Sequence, residues 1–151
     1  MKGLLFRIQD FEDGGKWTWS FHHLLMVLFA ILRPFPIITL MILHITTQTG
    51  WETAVSHHQY TADTLNSEGF IHCSTPAQVL GPANAMFRGQ TGLVLLCINE
   101  TQVQSPIVYE DCYESGQAFP HIYGPLNLDA VTAVLPFPPN DDGTFSLPQL
   151  P

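Results

Sequence analysis

The amino-acid sequence predicts an α+β fold: a small split sheet, mixed or antiparallel, with a few short helices. Three observations carry this. Short apolar, β-branched segments recur between turn residues from Ile42 onward, and strands outnumber helices among them. The helical segments come early instead of alternating with strands as a parallel sheet requires. Residues 93–98, LVLLCI, are continuous and apolar, the mark of a central strand buried on both faces. A chain of 151 residues suffices for one domain with a sizeable core.

Taken in order, residues 42–46 (ILHIT) are short and β-rich, a first strand. Residues 51–58 suit one or two helical turns with Thr49 or Gly50 at the cap. Residues 62–67 form a short helix that Gly69 ends, because glycine tolerates the left-handed conformation beyond a helix. Residues 70–74 are a strand. Ser74 or Thr75 then caps a helix running to about Arg88, with Pro76 in its first turn and Gln78 where a capping box places Glu or Gln. Gly89 is its stop, and Gly81-Pro82 predicts a kink. After the central strand, residues 107–111 are another strand and residues 119–125 (FPHIYGP) read as a constrained loop. Residues 129–135 make the last strand, preceded by a helical turn. Residues 136–151, with their prolines and DDG turn, are an extended tail.

The amino-terminal residues 1–41 read as a leader set apart from a domain over 42–148. Residues 24–32 are an unbroken apolar run, too short for a bilayer, which takes about 20 helical residues. Extending it to residue 43 crosses Arg33, Pro34 and Pro36, all costly at mid-membrane. Membrane contact by residues 21–43 therefore ranks below a helix packed on the domain or an extension with no selected role. The three cysteines, Cys73, Cys97 and Cys112, lack CxxC spacing and read as ordinary thiols in a reducing compartment, the cytoplasm.

Charge narrows the function classes. From Ile45 to the end the only Lys or Arg is Arg88, against ten Asp and Glu. Nucleic acid is excluded as a partner, because phosphate binding needs several cations per site.

Chemistry is expected where strands carry ionisable residues among apolar neighbours. With a period of two, Ile42, His44 and Thr46 share a face, as do Phe70, His72 and Ser74, and as do Val108 and Glu110. His121 sits in the proline-bounded segment. A lone strand histidine is more often a hydrogen-bonded structural residue than a catalyst; convergence of several in one cleft reverses that. Two chemistries fit. Imidazoles and a carboxylate suit a metal, yet no HxH, HxxxH or HExxH spacing is present, so no metal ligands are assigned. The other is chemistry on a bound sugar or nucleotide, where histidines meet hydroxyls and a carboxylate stabilises positive charge at an anomeric carbon. Tyr123, Tyr109 or Phe119 would stack on a flat ring. A cysteine nucleophile at Cys73 is disfavoured, because His72 is its neighbour on the strand and faces the other way.

The segments ILHIT, EGFIHCSTPAQV, VYE, FPHIYGPLNLDAV and DDGTFSLP together resemble the domain-of-unknown-function 952 family over about residues 42–148. That family resembles in fold the ADP-ribosyltransferase group, built on a split sheet, in which three strands contribute a triad. The resemblance implies NAD as the substrate, with His44, His72 and Glu110 as catalytic residues. His44 would bind a ribose hydroxyl, His72 would orient the nicotinamide-side ribose, and Glu110 would stabilise the oxocarbenium-like state. His121 would close the site, with Tyr123, Phe119 and Ser74 on the substrate. The alternatives are a non-catalytic module binding a small nucleotide, sugar or protein, and a metal-dependent hydrolase. The segment DCYESGQA carries no arginine, so a pyrophosphate would rest on backbone N–H groups or helix amino-termini.

Overall fold

Among the described residues, two three-stranded antiparallel sheets are joined by one backbone bridge. The computed structural model describes residues 40–151; residues 1–39 of the expected leader, with its apolar run, fall outside them. In the first sheet β1 (Met41–Thr47) and β6 (Val131–Pro136) flank β3 (Leu93–Asn99). In the second, β2 (Ile71–His72) and β4 (Ile107–Glu110) flank β5 (Phe119–Ile122). Every pairing is antiparallel, so the mixed alternative falls away. The sheets meet where Leu43 and Ser74 exchange backbone bonds of 2.7 and 2.8 Å. Beyond that pair β1 and β2 part, and the expected strand over 70–74 shrinks to Ile71–His72 plus this one bridge.

The faces follow the sequence alternation. Ile42, Val94, Leu96 and Ile98 of the first sheet pack with Ile71, Cys73 and Ile122 of the second in one core. Leu43, Leu95 and Cys97 turn the other way, onto Val79, Ala83, Phe137 and Phe145. That is why LVLLCI is continuously apolar: β3 is covered on both faces. Burying one such Leu or Val side chain contributes roughly 1.5–3 kcal/mol, and the central strand spends none of its buried positions on polar groups.

Among the described residues, three short helices pack on the sheets. The helix α1 (Gln48–His57) begins earlier than expected because Thr47, not Thr49 or Gly50, is its cap, accepting from Gly50 N at 2.9 Å. The helix α2 (Asp63–Ser67) ends before Gly69 at φ +89°. The helix α3 (Leu80–Met86) is shorter than expected. Gln78 does reach back, accepting from Thr75 N at 3.0 Å and from the Thr75 hydroxyl, but this closes a turn rather than starting the helix. Pro82 then falls in the first turn, where its missing N–H has no intrahelical partner to lose, and no kink is needed. A 3-10 turn, Leu128–Ala130, leads into β6 as expected.

Residues 119–122 are the largest departure. They form β5, the central strand of the second sheet, not a loop. Proline normally argues against a central strand. Here Pro120 is fully buried and its carbonyl accepts from Cys73 N at 2.9 Å, so it serves the ladder as an acceptor. Among the described residues, no helix is long and apolar enough to cross a membrane.

Candidate functional site

One side of the second sheet gathers ionisable side chains from all three of its strands. His72 and His121 are direct partners across β2 and β5, and Val108 faces His121 from β4. Direct partners share a face, and so do residues two apart. Phe70 and His72, Phe119, His121 and Tyr123, and Val108 and Glu110 therefore all project from one side. Ile71, Pro120, Ile122 and Ile107 project from the other.

Each histidine on this face leans on a carboxylate. His121, 2% exposed, places Nδ1 3.2 Å from Glu110 Oε1 and 3.6 Å from Cys112 Sγ. His72, on the open side, places Nε2 3.2 Å from Glu68 Oε2. The rings stand edge to face with centroids 5.2 Å apart. Phe70 lies against both, 4.9 Å from His72 and 4.3 Å from His121. A carboxylate only accepts, so the nitrogen facing it carries the proton. Burial pushes His121 below the ordinary histidine range, with its Glu110 bond opposing. The ring is therefore neutral at pH 7.

The carboxylates are fixed by tyrosines. Tyr123 donates to Glu110 Oε1 at 2.5 Å, and Tyr113 donates to Glu68 Oε2 at 2.8 Å. These bonds hold Glu110 and Glu68 below the usual carboxylate range, with the neighbouring histidines adding to the effect. Tyr123 is pushed up to about 12 by the same bond to Glu110. Tyr113 also stacks on His72 at 6.2 Å. It comes from the turn after β4, which Asp111 ties by accepting from the N–H groups of Ser115 and Gly116 at 2.9 and 2.6 Å.

His44 takes a different place. It lies on the core face of β1 with Ile42, 7% exposed, at the point where β1 and β2 part. Its Nδ1 lies 2.6 Å from the His72 carbonyl oxygen and its Nε2 2.7 Å from Tyr60 Oη. A carbonyl only accepts, so Nδ1 carries the proton and the Tyr60 hydroxyl donates to Nε2; Thr46 Oγ1 sits 2.9 Å from Tyr60 Oη. Burial pushes the ring down to about 4, which fixes it as neutral. The ring thus replaces the next backbone donor of the broken ladder, with both nitrogens engaged by protein. His72 and Glu110 share a face beside His121, while His44 meets them only through the β2 backbone.

The other expected residues divide likewise. Phe119 pairs with Glu110 across the ladder and Tyr123 bonds it. Ser74 is buried at the bridge between the sheets. Tyr109 projects from the far side of β4, hydrogen-bonded to Glu100. There Leu40, Glu100, Thr101, Ile107 and Tyr109 line a depression of about 300 Å³. Glu68, Tyr113 and Tyr60 were not singled out from the sequence, and Cys112 was read there as an ordinary thiol. Only Glu68 left a trace there, four residues before His72.

The family described as "Protein of unknown function (DUF952)" matches residues 45–134. The crystal structure of protein CC0527 from Caulobacter crescentus is 30% identical, with a TM-score of 0.65 over 71% of this chain and 94% of that one. The solution structure of CC0527 gives 30% identity and a TM-score of 0.61 over 69% and 90%. No curated protein matches the chain.

Proposed function

This chain belongs to the DUF952 family, and on that premise we propose that it is an NAD-directed enzyme of the ADP-ribosyltransferase type, built on that group's split sheet. The observation that carries the reading is Glu110. It is an ionised carboxylate held by Tyr123 and His121 on an open sheet face, beside His72. A fixed negative charge on this face is suited to a ribosyl centre that becomes positive as its glycosidic bond breaks. In that step the C1′–N bond breaks, its electron pair leaves with nicotinamide, and an acceptor nucleophile bonds to C1′ and gives up its proton. Glu110 opposes the charge, and the free nitrogen of His72 meets a ribose hydroxyl. Tyr113, Tyr123 and Phe119 offer aromatic surface for the flat ring. His121 orients Glu110. His44 is assigned as a positioning residue, since its ring holds the His72 carbonyl at the parting of the sheets.

Nicotinamide release and thermal stability in millimolar NAD test the proposal. The parent chain is expected to be stabilised and to turn over slowly. Glu110→Gln is expected to keep the stabilisation and lose roughly 100-fold or more in release, the scale of one removed electrostatic stabiliser. Stabilisation with no release in either chain favours instead a binding module using the same face. Absence of both in the parent rejects the proposal.

A further inference from the structure

One cluster on this face is not absorbed by that role. Where β4 runs into the following turn, Glu110, Cys112 and His121 bring a carboxylate oxygen, a sulfur and an imidazole nitrogen within 4.8 Å of one another. The two separations from His121 are those of a coordination shell. Bonds of about 2.0–2.1 Å to nitrogen, 2.0–2.2 Å to oxygen and 2.3 Å to sulfur in a tetrahedron place the donor atoms roughly 3.3–3.8 Å apart. His121 Nδ1 stands 3.2 Å from Glu110 Oε1 and 3.6 Å from Cys112 Sγ. Both partners meet the same nitrogen, so this is no relay in which a carboxylate orients one side of the ring while the other activates a thiol. One proton on Nδ1 cannot satisfy both well; one cation in its place would satisfy all three groups.

Charge and rigidity point the same way. Glu68, Glu110 and Asp111 gather around the site, and the only Lys or Arg among the described residues, Arg88, donates to the Asp142 carbonyl instead. The donors are held before any ion arrives. His121 is packed under Phe70, with centroids 4.3 Å apart, and Glu110 is held by Tyr123, the kind of supporting contact that fixes ligand orientation. Cys112 is exposed and gives an approach from solvent. Mixed nitrogen, sulfur and oxygen donors select a thiophilic ion over magnesium or calcium.

We infer that Glu110, Cys112 and His121 form a three-donor site for a thiophilic divalent transition ion, zinc above all, with the fourth position left to solvent or an incoming ligand. Binding releases the thiol proton of Cys112 to solvent and moves the His121 proton to Nε2. Because Glu110 also serves the proposed NAD chemistry, ion and substrate compete for it, and the ion acts as a brake on that reaction.

Cobalt(II), titrated into the full reduced chain without NAD, tests the site. The expected result is saturation at one ion per chain, with visible ligand-field bands of tetrahedral strength and a near-ultraviolet sulfur-to-cobalt charge-transfer band, all abolished by one equivalent of zinc. Cys112→Ser, at an exposed position, is expected to fold normally and lose the charge-transfer band. Tyr123→Phe, which removes only the support of Glu110, should weaken zinc binding by about 10–100-fold. Cobalt binding without a charge-transfer band overturns the inference. So does binding unchanged by Cys112→Ser, which would place the ion at an adjacent-histidine pair such as His57-His58. Since this readout uses no NAD, it stands or fails separately from nicotinamide release, which is measured on chelator-treated protein.

Discussion

Replacing His44 with Gln tests whether the split of the sheet depends on a neutral imidazole. The ring is buried against Tyr60 and the β2 backbone, and its proton affinity falls from 6.5 to about 4 on folding. Between those values the unfolded chain binds a proton that the native chain refuses. Stability from this group is therefore complete above pH 6.5 and drains away as pH falls toward 4. A tenfold change in proton affinity is about 1.4 kcal/mol, so the full loss is about 3 kcal/mol, and roughly 2 kcal/mol of it falls between pH 7.5 and pH 4.5. His121 is shifted the same way, so the parent chain alone does not isolate His44. The assay is urea unfolding of parent and His44→Gln at both pH values. The variant is expected to lose about 1–3 kcal/mol at pH 7.5, because the His72 carbonyl and Tyr60 hydroxyl lose a well-placed partner. It should then lose roughly 2 kcal/mol less than the parent on going to pH 4.5. Equal losses in the two chains refute the reasoning, as does a His44 ring that titrates near 6.5 in the folded parent by NMR.

Three further outcomes follow from single contacts. Tyr123→Phe removes the strongest partner of Glu110, so the Glu110 carboxyl should titrate at higher pH, read from its side-chain carbon shift; an unchanged midpoint contradicts the assigned bond. Cys112 should be the one thiol of the native chain that reacts with a disulfide reagent, since Cys73 and Cys97 are buried. It should react more slowly at pH 7 than free cysteine, because desolvation and the nearby Glu110 push it up. Gly124→Ala should cost about 1–3 kcal/mol in chemical denaturation, because its φ is +150° and an added Cβ would stand 2.6 Å from Ser105 Oγ; a neutral result would mean that the turn relaxes freely.

Much of this fold was legible because local pattern and tertiary role agree. LVLLCI is apolar throughout, and β3 is the strand with both faces covered. FPHIYGP was misread because proline marks loops in most contexts; only the pairing of Pro120 with Cys73 and Tyr109 shows that a central strand can use proline as an acceptor. The site was half legible for a related reason. Period-two alternation places His72 and Glu110 on faces of their own strands, but not which faces of different strands meet. Sheet pairing decides that, and it brings His121 between them. The same alternation put His44 on the face of Ile42, which is the core face. Cys112 and Tyr113 lie in a turn with no periodicity to read, so their approach to His121 and Glu68 is a fact of tertiary folding alone.

The scarcity of cations constrains how this face would hold the proposed dinucleotide. A pyrophosphate bound by Lys or Arg is weakened by salt, because the pairing is screened and counterions return to the ligand. Among the described residues Arg88 is the sole candidate, and its guanidinium donates to the Asp142 carbonyl in the tail. The carboxylates at the site, Glu68, Glu110 and Asp111, would repel a phosphate brought close. NAD bound here would therefore be held through its ribose and nicotinamide, with the phosphates turned to solvent or to backbone N–H groups. Affinity for NAD should accordingly change little as salt rises from 50 to 500 mM, and nicotinamide riboside should bind nearly as tightly as NAD. A steep fall in NAD affinity with salt, together with weak binding of the riboside, would mean that cations outside this face hold the phosphates.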